Sequence, residues 1–88
     1  MASKHVIVQG QVQGVFYRQG AQDTARELGV AGWVRNRDDG SVEMVVEGDD
    51  EAVERMVSWA REGTSQSQVT SVDVADTEPQ GLSGFEQV

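Results

Sequence analysis

The chain has no cysteine, a single proline, a single histidine and a single lysine among its 88 residues. Without cysteine there is neither a disulfide nor a thiolate nucleophile. The only histidine, His5, sits at the start of a strand-like run, so no Ser–His–Asp set is credible. One lysine and a net charge of −8 exclude the basic footprint of a nucleic-acid or anionic-membrane binder. No apolar run approaches the roughly 20 residues of a membrane span. Met1 to His5 holds no signal-peptide core, and with the missing cysteines this sets the expectation of a cytoplasmic protein.

What is present suits one small domain spanning residues 1–88, expected to be monomeric, with 38% hydrophobic residues for a modest core. The charge is uneven. Residues 1–44 carry five basic and five acidic side chains, whereas residues 45–88 carry two basic and ten acidic ones. The abundance of Asp and Glu beside one lysine suggests adaptation to high salt; ordinary solubilising charge is the simpler explanation.

Hydrophobic periodicity and turn residues give the element order. Lys4 to Val12 reads as a strand, and Gln19 to Leu28 as a helix with Ala21, Ala25 and Leu28 at helical spacing and Gly29 as its stop. Ala31 to Arg37 and Ser41 to Glu47 read as two strands joined by a hairpin turn at Asp38-Asp39-Gly40. A second helix from Asp50 to Arg61 shows Val53, Met56, Val57 and Ala60 on one stripe, with an aspartate available as its cap and Gly63 as its stop. Val69 to Ala75 is a fourth strand, and Phe85 to Val88 a short terminal one. The order βαββαβ predicts a ferredoxin-like α/β sandwich, an antiparallel sheet with two helices on one face. Trp33 is expected between sheet and helix, with Phe16 and Tyr17 as core and pocket-wall residues.

Two segments stand out. Gly10-Gln11-Val12-Gln13-Gly14-Val15-Phe16-Tyr17-Arg18 lies where a strand hands over to a helix. Backbone N–H groups in such a turn converge on one point, the helix N-terminus adds partial positive charge, and arginine supplies a fork matched to phosphate oxygens. The reading is a small anion pocket for a phosphoryl group. The second segment is Gly32-Trp33-Val34-Arg35-Asn36, continuing to Gly40, Val42 and Gly48. Asparagine is disfavoured in strands, yet its amide both donates and accepts, which suits holding a water; an Asx turn before Asp38 is the plain alternative. Asp38, Asp39, Asp49 and Asp50 read as turn and cap residues rather than metal ligands, and His5 as a solvated strand residue.

Together these segments resemble the two signatures of the acylphosphatase family, Gly-x-Val-Gln-Gly-Val-x-(Phe/Tyr)-Arg and the Gly-Trp-Val-Arg-Asn stretch with its downstream glycines. The resemblance is strong over residues 4–62 and looser afterward. Gly63-Thr64 stands where the family often has Gly-Pro, a departure expected to lie in a loop away from the motifs. The resemblance implies hydrolysis of acyl phosphates to carboxylate and phosphate. It implies that Gln13, Gly14, Val15, Phe16, Tyr17 and Arg18 hold the phosphoryl group and that Asn36 positions the attacking water, so Arg18 and Asn36 are the catalytic pair. Neither metal nor cofactor is expected, because an acyl phosphate already has a carboxylate leaving group and phosphoryl transfer rests on positioning and electrostatics. The loop offers no Cys, Ser or His for covalent catalysis. The alternative is a non-catalytic module that binds anions or carbamoyl phosphate.

Overall fold

A computed structural model describes all residues, Met1–Val88. The elements are β1 (Ala2–Gln11), α1 (Tyr17–Leu28), β2 (Ala31–Asn36), β3 (Val42–Gly48), α2 (Asp50–Glu62), β4 (Gln68–Asp76) and β5 (Phe85–Gln87). The five strands form one sheet in the order β4-β1-β3-β2-β5, and both helices pack on one face. Val6 and Val8 of β1, Val34 of β2, and Val42, Met44 and Val46 of β3 point at Ala21 and Ala25 of α1 and at Val53, Met56 and Ala60 of α2. The alternation of strand side chains assigns these residues to the helix face, and the helical stripe supplies the other half of the core.

The expected architecture holds with one correction. The sheet is mixed rather than wholly antiparallel, because β5 runs parallel to β2, with Gly32 opposite Phe85 and Val34 opposite Gln87. The cause is the path of residues 77–84, which carry the chain from β4 at one edge of the sheet to β5 at the other. The buried carboxylate of Glu47 anchors this crossing. It accepts the N–H of Gln80 at 2.6 Å, the N–H of Leu82 at 3.1 Å and the Ser3 hydroxyl at 3.1 Å. Burial pushes the Glu47 carboxyl up, but these hydrogen bonds outweigh it and hold the group below its ordinary value. Phe85, fully buried, then closes the end of the core.

Trp33 also departs from expectation. It alternates with the core residue Val34 and lies opposite Val45 on the helix-free face, where the Arg35 guanidinium stands 6.0 Å from its ring. The tryptophan that does pack against the core is Trp59 of α2, 5.0 Å from the Tyr17 ring. The helices approach closely there. A Cβ on Gly20 would lie 2.7 Å from Cζ2 of Trp59.

Candidate active site

The site begins where β1 ends. A bulge between Gln9 and Gly10 re-aims the chain, and at Gly10 (φ 126°) any Cβ would meet the Gln68 carbonyl at 2.0 Å. The following loop contains two left-handed residues, Gly14 (φ 74°) and Phe16 (φ 63°, ψ 23°). Phenylalanine in this region costs about 1–2 kcal/mol, and Phe16 is the one non-glycine residue of the chain with positive φ. Its side chain is 69% exposed, so it contributes little to the core expected of it. The residues around it hold the loop in place. Tyr17 is 1% exposed and donates its hydroxyl to the Ala60 carbonyl at 2.7 Å, while Thr64 donates its hydroxyl to the Val15 carbonyl at 2.8 Å. Burial pushes the Tyr17 phenol up, which keeps it a neutral donor.

Phe16 serves as the N-cap of α1, so the helix starts two residues before the periodicity suggests. It has no side-chain acceptor to offer, and the first turn holds no acidic residue. The first hydrogen bond of the helix is Gly20 N–H to the Phe16 carbonyl at 3.0 Å; no N–H from Gly14 through Gln19 donates to a backbone carbonyl. The loop therefore presents uncommitted N–H groups at the positive end of the α1 dipole, the arrangement that binds anions.

Arg18 and Asn36 meet at this loop. They line one cavity of about 320 Å³ together with Gly14, Phe16 and Tyr17. Val12, Gln19 and Gln87 complete its wall, and none of these residues is acidic. Arg18 takes part in no ion pair, although four of the other cationic side chains, Lys4, Arg26, Arg35 and Arg55, do. Asn36 closes β2 opposite Val42. Its Oδ1 is buried without a hydrogen-bond partner in the protein, the one such side-chain atom of the chain. A buried acceptor left unpaired costs about 1–3 kcal/mol, and Asn36 carries that cost in the wall of the cavity.

Two residues of the expected phosphate loop, Gln13 and Val15, make hydrogen bonds to other segments. Gln13 spends both amide hydrogens on the carbonyls of Arg37 at 2.8 Å and Ser41 at 2.9 Å, and Val15 is held by Thr64. Thr64 corrects a further expectation, since the Gly63-Thr64 loop touches the first motif instead of lying away from it. Asp39 closes the hairpin turn, its Oδ1 accepting the Ser41 N–H at 2.9 Å and hydroxyl at 2.5 Å. Asp49 occupies the N-cap of α2 without a side-chain capping bond. His5 is on the helix-free face, 2.6 Å from Glu43, which also pairs with Arg35 at 2.5 Å. Gln87, Gln19 and Thr64 escape sequence reasoning, because only the parallel docking of β5 and the return of the 63–67 loop bring their surroundings together.

The chain is similar to known proteins over nearly its whole length. The acylphosphatase family model matches residues 4–87. A curated acylphosphatase from the haloarchaeon Natronomonas pharaonis is 56% identical over 82 residues, covering 93% of this chain and 89% of the relative. One from Thermococcus kodakarensis is 50% identical, covering 96% and 92%. The crystal structure of acylphosphatase from Bacillus subtilis superposes with a TM-score of 0.97 at 38% identity, covering 100% of this chain and 99% of that one.

Proposed function

We infer the reaction path from the premise that the chain belongs to the acylphosphatase family and is an enzyme that hydrolyses acyl phosphates. The phosphoryl group sits in the loop between β1 and α1, its outer oxygens accepting hydrogen bonds from the uncommitted N–H groups of Gly14 to Arg18 and from the Arg18 guanidinium. These donors are fixed before substrate arrives, so they stabilise the charge that spreads over the phosphoryl oxygens without reorganising. Gln13 serves this cradle from behind by locking it to the β2–β3 turn.

The Asn36 amide holds a water by hydrogen bonding and directs the oxygen lone pair at phosphorus, opposite the acyl oxygen. The P–O bond to water forms as the P–O bond to the acyl group breaks. The carboxylate departs with that electron pair, and a phosphoryl oxygen takes the proton of the water. An acyl phosphate dianion and water thus give one carboxylate and one dihydrogen phosphate anion. Carboxylate is a weak base and leaves without a general acid, which fits a cavity whose lining has no carboxylic acid and no histidine. The cavity is built within one chain, so a monomer suffices. No helix is long and apolar enough to cross a membrane.

The observation that carries this reading is the unpartnered, buried Asn36 Oδ1 in the same cavity as the unpaired Arg18. Turnover of benzoyl phosphate in ¹⁸O-labelled water, with and without EDTA, tests it. The expected result is label in the phosphate, unlabelled benzoate and no effect of the chelator. Label in benzoate means attack at carbon and overturns the path.

A further inference from the structure

The Gln87 side chain lines the cavity beside Arg18 and Asn36, yet the reaction path above gives it no task. Gln87 is exposed, and the orientation of its amide follows from two chains of hydrogen bonds. The Phe85 backbone carbonyl can only accept, so Gln22, which reaches it at 2.9 Å, must present its NH₂ there. The Oε1 of Gln22, a residue 9% exposed, then faces Gln87, and Gln87 Nε2 donates to it at 3.0 Å. A second chain agrees. Gln19 Nε2 donates to the Asp23 carboxylate at 2.9 Å, so its Oε1 is an acceptor, and Gln87 Nε2 meets it at 3.1 Å. Both amide hydrogens of Gln87 are committed, and its Oε1 is the polar atom left over. Phe85, buried in the core, and Val88, whose N–H donates to the Val34 carbonyl at 2.9 Å, fix the strand on either side.

A lone acceptor repels a phosphoryl oxygen, so it does not serve the phosphate half of the substrate. It serves a group that donates. We propose that Gln87 is a specificity-determining residue for the acyl half, favouring acyl phosphates whose acyl group carries a hydroxyl or N–H donor. This rests on the assignment of the phosphoryl group to the loop beside Arg18. A site that accepts a hydrogen bond gains modestly from a substrate that makes it, because the competing partner is water. The preference for a donor-bearing acyl group is then about 2- to 10-fold in kcat/KM.

The test uses a matched pair, lactoyl phosphate and propionyl phosphate, which differ by one hydroxyl, with benzoyl phosphate as the control for the activity itself. The readout is the ratio of kcat/KM for lactoyl over propionyl phosphate, which cancels any general change in catalysis or folding. Gln87→Met, which keeps length and removes the acceptor, is expected to lower this ratio about 2- to 10-fold relative to wild type, the comparison of the two proteins cancelling the difference in leaving group between the substrates. A ratio unchanged in Gln87→Met overturns the proposal. Failure to hydrolyse benzoyl phosphate instead overturns the reading on which it rests.

Discussion

The amide of Gln13 lies 2.8 Å from the carbonyl of Arg37, the residue that follows Asn36. This bond, with its twin to Ser41 at 2.9 Å, joins the loop proposed to hold the phosphoryl group to the strand end that carries Asn36, the residue proposed to direct the water. The two proposed halves of the site come from separate parts of the chain, and Gln13 ties them together. Replacing Gln13 by Leu removes both bonds and leaves two carbonyls without their donor. Misplacement of reacting groups by about 1 Å costs up to about 100-fold in rate. The Gln13→Leu protein is expected to lose about 10- to 100-fold in kcat with benzoyl phosphate, and a kcat within threefold of wild type would show that the spacing is held by other means.

Arg18 is expected to tolerate no substitute. Lysine keeps the charge but replaces a planar fork with a point donor. Arg18→Lys should lose about 100-fold in kcat/KM, the scale seen when one preorganised donor is removed. Competitive inhibition by inorganic phosphate should weaken by about 10-fold, because ground-state binding uses the same fork. Unchanged phosphate inhibition would place the anion elsewhere.

Gly20 tests the packing behind the loop. Alanine is favoured over glycine inside a helix by about 1 kcal/mol, so propensity alone predicts stabilisation. The Trp59 ring occupies the space a methyl group needs. Overpacking costs about 1–3 kcal/mol and is expected to win. Thermal unfolding of Gly20→Ala should show a Tm lower by roughly 5 °C, since about 1 kcal/mol moves Tm by about 4–8 °C in a domain of this size. A raised Tm would mean that Trp59 has room to yield.

Glu47 sets an acid limit on stability. Its folded-state carboxyl is held below the ordinary value of 4.5, so the ionised form stabilises the fold above pH 4.5. That contribution is lost as pH falls below 4.5 through the folded-state value. Glu47→Gln removes the charge and turns one of the two acceptor oxygens into a donor that faces the N–H of Gln80 or of Leu82. Its expected cost is about 2 kcal/mol, a fall in Tm of roughly 10 °C at pH 7. The difference from wild type should shrink as pH falls through the folded-state value, below which both side chains are neutral. A gap that does not shrink on acidification would assign the effect to packing alone.

The acidic excess is kept away from the cavity. Asp50 and Glu51 sit in the first turn of α2, Asp73 and Asp76 lie exposed on β4, and the cavity wall carries no carboxylate. At 1 M salt the Debye length is about 3 Å, so repulsion within the net charge of −8 is screened. Raising KCl from 0.1 to 2 M should raise Tm by about 5 °C or more. No gain would identify the charge as solubilising only.

Much of this was legible in the residues themselves. The alternation of Val6, Val8 and Met44 and the stripe of Val53, Met56 and Ala60 encode the core directly, because strand and helix periods place those side chains on one side. The loop from Gly14 to Arg18 and the odd strand position of Asn36 pointed to residues that the fold brings into one cavity. What escaped depends on contacts between distant segments. Trp33 is bulky and apolar, and nothing local says which face of the sheet it takes. The direction of β5 follows from where Glu47 holds residues 77–84. Thr64 looks like an ordinary loop residue until its hydroxyl is seen at the Val15 carbonyl. Thr64→Val, which removes that bond and keeps the shape, should raise KM for benzoyl phosphate by about 2- to 5-fold.

The central claim is that Asn36 directs the water while Arg18 and the loop hold the phosphoryl group. It is tested most directly by the steady-state kinetics of Asn36→Ala with benzoyl phosphate. The account predicts that kcat falls by about 100-fold or more while KM stays within about threefold of wild type, because the lost contact acts on the nucleophile and not on the bound phosphate. A kcat close to wild type, or a loss confined to KM, would contradict it.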